Sequence, residues 1–311
     1  MFIATKCPVT TFSLLTDDYG SSFCYPCGST LPSNTTNVGA APGNIFEGKY
    51  MPILTQEELQ QAVDEYIENA TNVSNVAARY GHPISNWNVS LVTNFSHVFD
   101  THRNPKLITF VEDLDGWDTS SAVAMTRMFA GASWFNGNIS TFSTSRVTAM
   151  EAMFLDAFTF NGDISQWDTS SCTTMASMFT GADRFNGNLT LFDTSNVVDM
   201  SDMFASAISF EGTGLERWNT SAVVNMKAMF EQTFSFTANV LSTWDVSRVV
   251  DMSAMFQQSS FNGDISDWNV TNIVMFNSMF GGAGAFNQDL SPWNVTSAVN
   301  FNGMVSDFWG T

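Results

Sequence analysis

The sequence predicts an α/β solenoid. The expected form is a right-handed stack of short coils, with a parallel sheet along one side, short helical turns along the other and a capping helix at the N-terminal end. Three observations predict it. A Trp or Phe recurs at Trp87, Trp117, Phe142, Trp167, Phe192, Trp218, Trp244, Trp268 and Trp293, with gaps of 24 to 26 residues after a first gap of 30. Eight positions after each stands a Met or Phe, from Phe95 to Phe301. Three and four positions further, a Met-Phe pair appears seven times, from Met128-Phe129 to Met279-Phe280. A fixed period of this length marks a repeat architecture.

Residues 1–49 come first in the chain. They are rich in Pro, Gly, Ser and Thr and hold three of the four cysteines, which reads as an extended arm or a small disulfide-tied segment. Residues 50–83 form a cap and lead-in. A helix is expected over 55–68, because Thr55 and Glu58 make a capping box and Leu59, Ala62, Val63 and Tyr66 share a face.

Nine copies of the repeat then fill residues 84–311. In the fourth, Ile164, Trp167 and Thr169 put Trp167 and the residue two further on the inner side of a short strand. Met175, Met178, Phe179 and Ala182 fall at i, i+3, i+4 and i+7, one face of a helical turn. One coil cannot bury both apolar faces alone, whereas stacked coils can. Each large side chain so buried contributes roughly 1.5–3 kcal/mol. Gly212-Thr-Gly-Leu-Glu-Arg-Trp218 inserts a residue in the sixth copy and predicts a local bulge.

The unit I-S-x-W-[DN]-[TV]-S-x-V-x-x-M-x-x-M-F-x-x-A-x-x-F-N resembles the BspA-type leucine-rich repeats over residues 84–311. It is most similar to the branch known as a mycoplasma surface-protein repeat of unknown function. Tyr80-Gly-His-Pro-Ile-Ser-Asn-Trp87 resembles that family's lead-in to a first repeat. The resemblance implies a leucine-rich-repeat-like solenoid, secretion or surface display, and a role in adhesion or envelope structure. It implies no enzymatic activity.

Charge narrows the partners. The 311 residues hold 11 Lys and Arg against 30 Asp and Glu, a formal net charge of −19 that repels phosphate backbones and anionic lipid. No apolar run approaches the ~20 residues of a membrane span. Neither a nucleic-acid partner nor a membrane span is expected. The N-terminus lacks the basic start and long apolar stretch of an intact signal peptide, so secretion rests on other evidence.

Ten Asn-x-Ser/Thr sites supply that evidence: Asn34, Asn69, Asn72, Asn88, Asn94, Asn138, Asn188, Asn219, Asn269 and Asn294. Asn88, Asn219, Asn269 and Asn294 directly follow the Trp, and Asn138 and Asn188 lie four residues before Phe142 and Phe192. Both columns should face solvent, as a glycan requires. The column after the Trp or Phe otherwise holds Asp118, Ser143, Asp168, Asp193 and Asp245. It reads either as a calcium- or glycan-binding strip or as a solvated edge. The irregular mixture of Asp and Asn, without dense Asp-Gly loops, favours the edge.

Cys24-Tyr-Pro-Cys27 has C-x-x-C spacing, but no second pair or nearby His supports metal or redox chemistry. A structural disulfide among Cys7, Cys24 and Cys27 is the expectation, with the third thiol free or bonded to another molecule. Cys172 shares a column with Val147 and Val197 and should be a buried small hydrophobe. His82, His97 and His102 share no ligand spacing and read as structural or exposed. The Thr119, Thr144, Thr169, Thr194 and Thr220 column should face inward, which sets aside an ice-binding reading.

No cluster of titratable groups converges, so no catalytic residue, metal or cofactor is assigned. The expected function is a non-enzymatic extracellular or cell-surface structural glycoprotein. It would assemble head-to-tail into a layer or fibre through Phe12, Leu14 and Leu15 of the arm and Phe301, Met304, Phe308 and Trp309 of the last coil. The alternative is an adhesin or receptor that binds carbohydrate or protein through the sheet face.

Overall fold

The computed structural model describes residues 3–6, 12–16, 22–26, 50–71, 73–237 and 239–306. The chain divides into two compact units, Met1–Lys49 and Tyr50–Thr311. In the first, strands β1 (Ile3–Lys6), β2 (Phe12–Thr16) and β3 (Ser22–Pro26) pair antiparallel in the order β1-β2-β3. Phe12, Leu14 and Leu15 lie on β2, and Leu14 is in register with Cys24 of β3. Cys7, Cys27, Asn34, Asn72, Phe308 and Trp309 lie outside the described residues.

The second unit opens with α1 (Gln56–Glu68) and α2 (Asn75–Tyr80). Thr55 caps α1 by accepting the Glu58 N–H at 3.1 Å, and the Glu58 carboxylate accepts from the Leu54 N–H at 2.9 Å. The reciprocal bond thus falls one residue earlier than in a standard capping box. Leu59, Ala62, Val63 and Tyr66 are buried as the spacing predicts. The helix also satisfies a carbonyl of the first coil, since Gln56 Nε2 and Gln60 Nε2 both donate to Ser96 O.

Beyond the cap, nine coils stack, linked by eight parallel one-residue bridges from Asn94↔Ala124 to Met275↔Asn300. The expected α/β architecture is corrected here. Among the described residues from 50 to 306 there is no strand, so no parallel sheet, and the Met-x-x-Met-Phe segments form no helix.

Backbone conformation explains why. The second residue after the Met or Phe that opens this segment is left-handed in all nine coils, for example Arg127 at φ 56°, Ser177 at 56° and Ala254 at 57°. A left-handed residue stops an α-helix. Its neighbours' N–H groups then alternate in direction. Met178, Thr180 and Ala182 bond three residues back within the coil, at 3.0–3.1 Å. Met175, Ser177, Phe179 and Gly181 bond carbonyls of the next coil, at 2.8–3.1 Å. This succession of tight turns still brings Met175, Met178, Phe179 and Ala182 to the interior, all fully buried. The helical periodicity identified the buried face and misidentified the backbone.

The core is a pair of Phe columns. Phe154 stacks on Phe179 of the next coil at 5.6 Å and Phe160 on Phe185 at 6.1 Å, while Phe154 and Phe160 meet within their coil at 3.8 Å. The inserted residue of the sixth copy is taken up by a 3-10 turn, Leu215–Arg217, entered through Gly214 at φ 100°. A Cβ on Gly214 would stand 2.3 Å from Thr190 N, so both sterics and backbone conformation require glycine there.

Candidate functional site

Three polar columns tie the coils together, and the sequence pattern alone did not reveal their bonds. In the column from Trp87 to Trp293 every indole N–H donates to a backbone carbonyl of a preceding coil or lead-in, as in Trp117 to Ile84 O at 2.8 Å and Trp268 to Leu241 O at 2.9 Å. The buried hydroxyls of Thr119, Thr144, Thr169, Thr194 and Thr220 donate to the next coil's carbonyl at 2.9–3.1 Å. The Asn of the Phe-Asn signature accepts from the next coil's backbone, as when Asn161 Oδ1 receives the Asn186 N–H at 2.9 Å. The even spacing of Asn136, Asn161 and Asn186 was the available signal for that ladder.

The residues that follow the Trp face solvent, and each closes a local turn. Asp168 Oδ1 accepts the Ser170 N–H at 3.0 Å and its hydroxyl at 2.6 Å. Hydrogen bonds from the serine two residues on hold the Asp118, Asp168 and Asp245 carboxyls below the usual carboxylate range. Asp and Asn interchange in this column because the turn uses only Oδ1, which both supply.

The same geometry governs six of the sequons. Oδ1 of Asn88, Asn138, Asn188, Asn219, Asn269 and Asn294 accepts the N–H two residues on at 2.9–3.3 Å. All six are exposed, and Nδ2 makes no hydrogen bond to a described residue. Asn94 differs, because its Nδ2 donates to Gln56 Oε1 at 2.7 Å across to the capping helix. Asn69 is exposed at the C-terminal end of α1, where its backbone N–H bonds Glu65 O and Tyr66 O.

The fold also gathers side chains that sequence spacing kept apart. Asp100 is 2% exposed, and Oδ2 accepts from His97 Nδ1 at 2.7 Å and Arg127 Nε at 2.9 Å. Oδ1 accepts the His102 N–H at 2.9 Å and lies 3.1 Å from His102 Nδ1. Burial alone would raise this carboxyl, but the bonds from Arg127, His97 and His102 outweigh it and bring it down to about 2. Gln60, His97, Asp100, His102, Arg103 and Arg127 line a depression of about 420 Å³. His97 and His102 therefore share one carboxylate. His82 sits apart, with its Nδ1 buried and, among the described residues, unpartnered.

Cys172 is buried among apolar neighbours, which pushes its thiol up to about 11. Along one edge, Trp134, Phe158, Ile208 and Phe234 are exposed. In the ninth coil, Val299, Phe301 and Val305 are exposed, and Met304 is half-buried against the core. Among the described residues no group of three or more His, Cys, Asp or Glu is placed to hold a metal ion, and no helix is long and apolar enough to cross a membrane.

A family model described as "Mycoplasma protein of unknown function, DUF285" matches residues 49–106, 102–214 and 207–309. No curated protein and no solved structure matches the chain.

Proposed function

The chain belongs to this Mycoplasma repeat family, and on that footing we propose that it is a non-enzymatic structural glycoprotein of the cell surface or extracellular space. The finer kinship with BspA-type leucine-rich repeats is part of the proposal. It rests on motifs such as Trp167-Asp-Thr-Ser170 and Met178-Phe179.

The single observation that carries the reading is the contrast between the first and ninth coils. Gln56, Gln60 and Arg103 spend their donors on first-coil carbonyls. In the ninth coil Val299 is 75% and Phe301 42% exposed. An apolar coil face of this kind gains stability when another segment covers it. Contact between residues 1–49 of one copy and the ninth coil of the next would be heterologous and would propagate as a filament or layer.

Electron microscopy and light scattering of the glycosylated full chain test the assembly. Concentration-dependent filaments that disappear on deletion of residues 1–49 are expected. Filaments that survive the deletion, or a full chain monomeric at high concentration, overturn it.

A second reading, an adhesin or receptor, is favoured by exposed Trp134, Phe158 and Phe234, since aromatic faces suit sugar rings and protein hot spots. A monomer that binds glycans on an array would favour it over the filament.

A further inference from the structure

The depression around Asp100 combines four cation-capable side chains in a chain that has few. The whole sequence holds 11 Lys and Arg and three His, and Arg103, Arg127, His97 and His102 all line this one place. Part of their hydrogen-bonding capacity is used internally. Arg127 donates to Asp100 through Nε, and Arg103 donates to His97 O, Val98 O and Asp64 Oδ2.

Several donors remain. Among the described residues Arg127 Nη1 has no protein partner, and neither does Nε2 of His97 or His102. The imidazole of His102 is 67% exposed and that of His97 43%. Asp64 and Asp100 balance the two guanidinium groups, so this surface is locally neutral within a molecule of net charge −19.

We propose that this depression binds a small oxyanion, with Arg127 Nη1 and the His102 ring as its principal donors, seated by the buried Asp100. Asp100 fixes both groups by gripping Arg127 Nε and the His102 backbone N–H, so the donors are held before a ligand arrives. Arg127 Nη2 already reaches Asp100 Oδ1 at 3.4 Å and His102 Nδ1 at 2.9 Å, so Nη1 and the neighbouring imidazole N–H are the donors offered to the oxygens of a sulfate, phosphate or carboxylate. The surrounding negative field opposes an extended polyanion and tolerates one compact oxyanion. The ligand is therefore a free inorganic oxyanion or the one charged group of an otherwise neutral saccharide.

Calorimetric titration of the full chain with sodium sulfate, and separately with sodium glucuronate, tests this at low ionic strength. Saturable binding of sulfate in the millimolar range is expected. It should weaken about tenfold in His102→Ala and in Arg127→Lys, which keeps a charge beside Asp100 but loses the fixed Nη1 donor. Arg217→Ala, in the sixth coil, should leave it unchanged. Glucuronate that displaces sulfate identifies a saccharide-borne carboxylate, and sulfate binding alone identifies the inorganic ion. Absence of saturable heat, or equal affinity in all variants, overturns the site.

Discussion

Replacing Trp167 separates the two roles of the aromatic column. The side chain is 1% exposed and stacks on Phe142 at 6.3 Å and Phe154 at 6.2 Å. Its indole N–H reaches Ile139 O at 3.3 Å, a long bond. Trp167→Ala removes the ring between coils and leaves that carbonyl only the Phe142 N–H, at 3.1 Å. Large-to-small changes of this kind cost about 3–5 kcal/mol. Trp167→Phe retains a stacked ring in a column where Phe142 and Phe192 already stand. It loses one weak bond and part of the ring, about 1–2 kcal/mol. A unit the size of Tyr50–Thr311 unfolds with about 0.55 kcal/mol/K, so 4 kcal/mol lowers Tm by about 7 °C. Thermal melts followed by circular dichroism should therefore place the Phe variant about 2–3 °C and the Ala variant about 5–9 °C below the parent. Equal losses in the two variants, or an Ala variant within a degree of the parent, would refute ring stacking as the main source of stability in this column.

The remaining predictions concern polar columns, pH and modification. Asp168→Ala should cost about 1 kcal/mol in urea melts, more than a simple solvated residue, because it removes the acceptor that closes the Ser170 turn. Asp100 has a folded pKa below its unfolded value, so its contribution, about 2 kcal/mol, is present above pH ~4 and lost as pH falls toward 2. Asp100→Asn should flatten the stability curve over that window, measured as Tm against pH. Cys172→Val should stay within about 1 kcal/mol of the parent in the same melts, since Val147 and Val197 occupy the column. In protein from its native source, intact mass before and after deglycosylation should show glycans on several of Asn88, Asn138, Asn188, Asn219, Asn269 and Asn294. Peptide mapping should find Asn94 least occupied, its Nδ2 being engaged by Gln56.

The sequence by itself determined the period, the number of coils and the inner and outer faces. Burial follows volume and polarity, and both recur column by column: Trp167, Thr169, Cys172, Met175 and Phe179 are all inside, while Asp168 is outside. The same periodicity could not choose the backbone. A residue at i, i+3 and i+4 is brought inward by a helix or by tight turns, and Ser177 or Ala254 carries no side-chain sign that it will be left-handed. That choice belongs to the stack, because alternate N–H groups find acceptors only once the next coil is present.

The candidate site was still less legible. Asp100, His102 and Arg127 come from two coils, and Gln60 comes from the capping helix. Their spacing in the chain has no pattern a single element could impose. What gathers them is the packing of α1 against the first coil and of the first coil against the second. The tertiary structure alone decided which charges share the buried carboxylate, because a charge leaves water only where several partners meet it at once.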